Sequence, residues 1–138
     1  MTQSEKIIEQ EKFSNEIKKK YPNLFLREKW NCGSDLIGIN KGWFNLVIEC
    51  CDKLEELRDK NPNIHFFQIK EKFARLTIYL GGIEKSQDVQ LIYKNVEEIC
   101  DRSLTICENC GTESNVSQKD INFWIKTLCD KCSLPSKS

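Results

Sequence analysis

The chain has 138 residues, with 21 Lys and Arg set against 21 Asp and Glu, so its formal net charge at neutral pH is zero. That length suits one ordinary core, and the balanced charge excludes a global field drawing the protein to DNA or an anionic membrane, so a nucleic-acid role needs a local basic patch. No apolar run is long enough to span a bilayer, and the start of the chain, broken up by Glu5, Lys6, Glu9, Glu11 and Lys12, lacks the hydrophobic stretch of a signal peptide.

Residues 4–20 read as a first helix, with Ile7, Phe13 and Ile17 on one side, Tyr21 and Leu24 continuing it, and Pro22 stopping it. The stretch 23–41, interrupted by Gly33, Ser34, Asp35 and Gly38, reads as loop with one short strand. Over 42–60 the residues Trp43, Leu46, Val47, Cys50, Leu54 and Leu57 recur at three- and four-residue steps, the stripe of an amphipathic helix. Asn61-Pro62-Asn63 breaks it.

The segment 64–80 is rich in β-branched and aromatic residues and predicts two strands joined near 70–73. Leu76, Ile78 and Leu80 alternate with Arg75, Thr77 and Tyr79, so the second strand should bury one face and wet the other, ending at Gly81-Gly82. A third helix follows over 87–104, with Val89, Ile92, Tyr93, Val96, Ile99, Cys100 and Leu104 on one face. The tail 133–138 is small and polar and has little to bury.

The eight cysteines, without an export signal, point to a reducing cytoplasm where thiols stay free or bind metal, in preference to a disulfide framework. Cys107 and Cys110 form one C-x2-C pair and Cys129 and Cys132 another, with 18 residues between the pairs, the spacing of a four-cysteine zinc site. Each short turn aims two sulfurs at one point, and a return strand over 122–128 brings the second pair to the first, which makes a zinc ribbon. Gly111 suits the tight turn after Cys110. Four cysteine ligands leave no open position, so one Zn2+ here is structural. The pattern of a disulfide oxidoreductase, a C-x2-C at a helix start beside a βαβ unit, is not present. Cys50, Cys51 and Cys100 read as small core residues, with Cys51 at the edge of its stripe, and Cys32 stays open.

Several separated segments carry a family resemblance: Cys32-Gly33, Gly42-Trp43-Phe44 leading a helix, Gln68 to Phe73 followed by Arg75 and Tyr79, Cys107 to Gly111, and Trp124 to Cys129 with Cys132. On these the chain resembles an uncharacterised family of small proteins of bacteriophages and prophages. Two departures stand out: Cys32-Gly33 and Gly42-Trp43 are separated here, and Ala74 stands where a glycine is usual. The resemblance implies a phage setting in the bacterial host cytoplasm and a zinc lobe, and brings no established reaction.

Catalytic constellations are scarce: His65 is the sole histidine, and no glycine-rich phosphate loop, G-x-S-x-G or H-E-x-x-H motif is present. A lone His65 beside Phe66 and Phe67 reads as a packed or surface residue and not a general base. Lys70, Lys72 and Arg75, beside Phe73 and Tyr79, form a candidate site for an anionic ligand, weighed evenly against a solvated turn. Trp43 is a further ligand-contact candidate, though its stripe favours the core.

These readings predict an α+β protein, with a small antiparallel sheet packed with two or three helices over 1–104, a zinc ribbon over 105–133 and a flexible tail over 134–138. The functional expectation is a non-enzymatic phage accessory protein that blunts host defence by sequestering a phosphate-bearing nucleotide-type signal or binding a host protein. A zinc ribbon binding nucleic acid through Lys119, Lys126 and Lys131 is the alternative, and an enzyme using carboxylates such as Glu71 is the third.

Overall fold

The computed structural model describes residues 2–25, 37–83 and 88–134. Cys32, the segment Cys32-Gly33 and the first residue expected in the third helix, Gln87, lie outside them. The described chain forms three helices and two small antiparallel sheets, an α+β architecture as the sequence predicts.

Helix α1 (Gln3–Lys20) opens on Thr2, whose hydroxyl accepts the Glu5 amide, and closes with three lysines in its last turn, complementing the helix dipole at both ends. Its buried side is Phe13, Ser14 and Ile17; Ile7, expected on that side, is 38 % exposed, because the first turns of α1 meet the body through polar residues such as Lys6 and Gln10 at a cleft. Helix α2 (Phe44–Glu56) follows a 3-10 turn, Lys41–Trp43, and is shorter than the stripe suggests, since Leu57 to Lys60 turn out of the helix toward Pro62. Phe44 stacks on Phe13 with ring centroids 3.9 Å apart, fixing α1 on α2.

Strands β1 (His65–Lys72) and β2 (Arg75–Gly81) pair as a hairpin with a bulge between Phe66 and Gln68. Ile69 opposes Ile78 on the core face, while Lys70 opposes Thr77 and Lys72 opposes Arg75 on the outer face. The outer edge of β1 is covered by Gly38, whose amide donates to the Ile69 carbonyl and whose carbonyl accepts the Glu71 amide. Helix α3 (Val89–Arg102) buries Ile92, Val96, Ile99 and Cys100 against α2 and β2; Tyr93, one position off that stripe, faces out. Ser103 joins this helix to the sheet: its hydroxyl donates to the Cys100 carbonyl and accepts the Leu76 amide.

Strands β3 (Val116–Ile121) and β4 (Trp124–Cys129) make the second sheet. The expected return strand is β4, begun at Trp124 because Asn122 and Phe123 form the turn; β3, its partner, is an element that the sequence pattern did not reveal. The body's core runs from Phe13 through Trp43, Leu54, Phe66, Ile69 and Ile92 to Ile106, and a separate small cluster holds Cys107, Leu128 and Cys129.

Candidate metal centre and the surfaces around it

Two knuckles build the cysteine site. After Cys107 the chain turns so that the Gly111 amide donates to the Cys107 carbonyl, with Gly111 in the left-handed region at φ 81 that its lack of a Cβ allows. After Cys129 the Cys132 amide donates to the Cys129 sulfur at 3.3 Å and the Ser133 amide to the Cys129 carbonyl. The Glu108 amide of the first knuckle donates to the Thr127 carbonyl of β4 at 3.0 Å, which brings the first knuckle beside the strand that leads into the second.

The four sulfurs of Cys107, Cys110, Cys129 and Cys132 lie within 4.8 Å of one another. Cys110 and Cys129 are 3.8 Å apart, about the edge of a tetrahedron whose centre lies ~2.3 Å from each corner, the bond length of zinc to thiolate, and far beyond the ~2.05 Å of a disulfide. The Cys132 amide holds the Cys129 thiol down to about 7, whereas burial pushes Cys132 up. Four thiolates this close repel, and a bound divalent cation relieves the conflict. The group is therefore placed to hold a metal ion.

Several hydrogen bonds tie the site to the body. The Gly42 amide donates to the Glu108 carbonyl and the Trp43 indole N–H to the Ile106 carbonyl at 2.8 Å. Gly42 has to be glycine, since a Cβ there would meet the Cys107 carbonyl oxygen at 2.1 Å. The Thr127 hydroxyl donates to the Ala74 carbonyl at 2.6 Å, which sets the ribbon against the turn of the first hairpin.

Trp43 is thus wholly buried, with 0 % exposure, as its stripe favours, and it packs in the core beneath a polar cleft. Cys51, expected at the edge of its stripe, is equally buried, and burial pushes both its thiol and that of Cys50 well up. Cys100 is pushed up to about 11 by the same cause. His65 is half-buried, and its Nδ1 bonds the Asn63 carbonyl at 2.9 Å.

Strand register brings Lys70, Lys72, Arg75 and Tyr79 onto the outer face of the first hairpin, with the Lys70 ammonium 5.9 Å from the Tyr79 ring centre. Arg75, however, is engaged: its guanidinium contacts Glu97 and Asp101, each at 2.8 Å. Lys70 and Lys72 make no ion pair among the described residues. In the ribbon Lys119 pairs with Asp130 and Lys126 with Glu108, leaving Lys131 as the exposed cation of the three considered for nucleic acid.

Behind the sheet, a polar cleft of about 240 Å³ is lined by Lys6, Gln10, Asn40, Glu71, Glu108 and Lys126. Burial pushes the Glu108 carboxyl up, opposed by Lys126 at 3.3 Å. Glu71 also serves the hairpin, accepting the Ala74 amide at 3.2 Å. Sequence spacing did not foresee this cleft, because its residues come from α1, Gly38 to Asn40, β1, the first knuckle and β4. No described helix is long and apolar enough to cross a membrane. No family model, curated protein or solved structure matches the chain.

Proposed function

We propose that this chain is a zinc-stabilised binding protein of bacteriophage type that acts in the host cytoplasm by docking onto a host protein, so blunting a host defence. The zinc part rests on the tetrahedral spacing of four cysteine sulfurs, a donor set that favours zinc and leaves no position for substrate.

The choice of a protein partner over a phosphate-bearing small molecule is carried by one observation, the capture of Arg75 by Glu97 and Asp101. Arginine's planar fork is the group that would grip a phosphate with paired hydrogen bonds, and here two carboxylates already occupy it. What remains on the outer face is Lys70, Lys72 and Tyr79, an open polar surface of the kind found at the rim of a protein interface.

The purified protein should carry one zinc per chain by elemental analysis; none, or two, contradicts the site. A pull-down of the tagged chain from phage-infected cells, with bound protein and denaturant-released small molecules both analysed, separates the two classes of partner. A stoichiometric host protein with no released nucleotide is expected, and a nucleotide released in proportion to the chain would overturn the reading.

A further inference from the structure

The polar cleft behind the first hairpin takes no part in holding the metal, and its charged groups are only partly used. Glu108 is 2 % exposed, and burying a carboxylate is costly unless its oxygens are bonded. One oxygen accepts from the Lys126 ammonium at 3.3 Å, while the other bonds nothing among the described residues. No fully enclosed side-chain polar atom among those residues lacks a partner, so this second oxygen opens into the cleft that Glu108 lines.

Two more charges line the same space. Glu71, from β1, spends one oxygen on the Ala74 amide and has no ion pair among the described residues. Lys6, from α1, is half-buried and has none either. The two have opposite signs and share one cleft, yet they do not pair with each other. Opposite charges held apart in this way complement a molecule that carries both.

The walls are braced in advance. The Gln10 amide donates to the Asn40 side-chain oxygen at 3.3 Å and the Asn40 amide to that of Asn109 at 3.0 Å, a chain of bonds from α1 to the first knuckle. Groups fixed before a ligand arrives lose little freedom on binding it.

Charge and size select the ligand. Lys6 and Lys126 balance Glu71 and Glu108, so a net anion or net cation in the cleft leaves a charge uncompensated, whereas a zwitterion leaves none. The volume of about 240 Å³ lies below the ~300–1,000 Å³ of pockets for drug-sized ligands, which suits a smaller molecule.

We propose that this cleft binds a small zwitterion of the α-amino-acid class, with its ammonium at Glu108 and Glu71 and its carboxylate at Lys6. The site goes beyond the docking reading above and does not depend on it.

The test screens the free protein amino acids singly against the full-length, zinc-loaded chain by saturation-transfer NMR, then measures the strongest binder by calorimetry. One molecule per chain should bind. The same amino acid with its amine acetylated, or with its carboxylate converted to the amide, should bind about tenfold more weakly or worse, since each loses a charge-assisted contact. Glu108→Gln and Lys6→Met should weaken binding to a similar degree, and Lys131→Met, outside the cleft, should not. Lys6 has no ion pair to lose, so Lys6→Met should keep the parent's thermal midpoint and decides the matter if Glu108→Gln fails to fold. If no amino acid binds at millimolar concentration, or the blocked forms bind as tightly as the free one, the proposal falls. It falls equally if Lys6→Met binds like the parent. The docking reading survives each of these results, because the pull-down tests it on a different partner.

Discussion

The body and the ribbon hold their shape by different means. The body surrounds Trp43, Leu54, Phe66 and Ile92 with apolar neighbours from three helices and a hairpin, and burial of that surface is its main support. The ribbon has two short strands and a cluster of Cys107, Leu128 and Cys129, with Val116, Ile121 and Cys132 at its margin, too little apolar surface to stand on burial alone. A small unit can dispense with a core when a metal ties its turns together, and its outward strands are then free to carry exposed rings.

The largest expected effect comes from attacking the ribbon's support. Metal binding to such sites contributes about 10–16 kcal/mol in peptides, so Cys110→Ser or a strong chelator should unfold 107–134 while the body's helices persist, as amide NMR and circular dichroism would show. Cys51→Ser should cost the body about 1–3 kcal/mol, since it puts a hydroxyl into a fully buried place, and should leave zinc content unchanged. Equal stability of the two variants would erase the distinction between the regions.

A smaller effect should appear where the regions meet. Gly42→Ala drives a methyl group toward the Cys107 carbonyl and the Glu108 backbone, costing about 3 kcal/mol by overpacking. Because the clash falls on the first knuckle, zinc affinity should drop along with the thermal midpoint. A loss of stability with unchanged zinc affinity would show that the junction supports the body alone.

The smallest effect sharpens the body's side. The Tyr21 hydroxyl donates to Asp52, and that bond pushes the phenol up to about 12 from an ordinary 10.0. A phenol raised on folding contributes stability that is whole below its unfolded value and lost as pH climbs through the folded one, so the contribution should fade between about pH 10 and 12. Tyr21→Phe should cost about 1 kcal/mol at neutral pH and remove that alkaline step from the stability profile, with the ribbon's zinc untouched.

The same contrast explains what was legible in the sequence. Helices α1 to α3 and the first hairpin announce themselves because one face of each is buried, and burial writes a period of three to four residues or of two. The cysteine spacing is legible for a different reason, since a tetrahedron dictates it. Strand β3 was not, because Val-Ser-Gln-Lys-Asp-Ile has no buried face to impose alternation; it exists by pairing with β4 and through Gln118, whose amide donates to the Leu104 carbonyl and the Thr127 hydroxyl. Phe123 looked like strand for want of a glycine or asparagine at its place in the turn, and its φ of 72 is settled by the pairing on either side. Arg75 reads as a free cation because its partners Glu97 and Asp101 stand a helix away in the chain.

The seating of Gly42 and Trp43 on the first knuckle also has a meaning in time. During synthesis these two residues emerge well before their acceptors, the carbonyls of Ile106 and Glu108. At a translation rate of about 5–20 residues per second the wait is several seconds. Throughout it, helix α2 can form on its own stripe, but the tryptophan at its head has no carbonyl to bond. The start of α2 can take its final seat only after residues 106–108 have left the ribosome, so completion of the body is scheduled by the start of the ribbon.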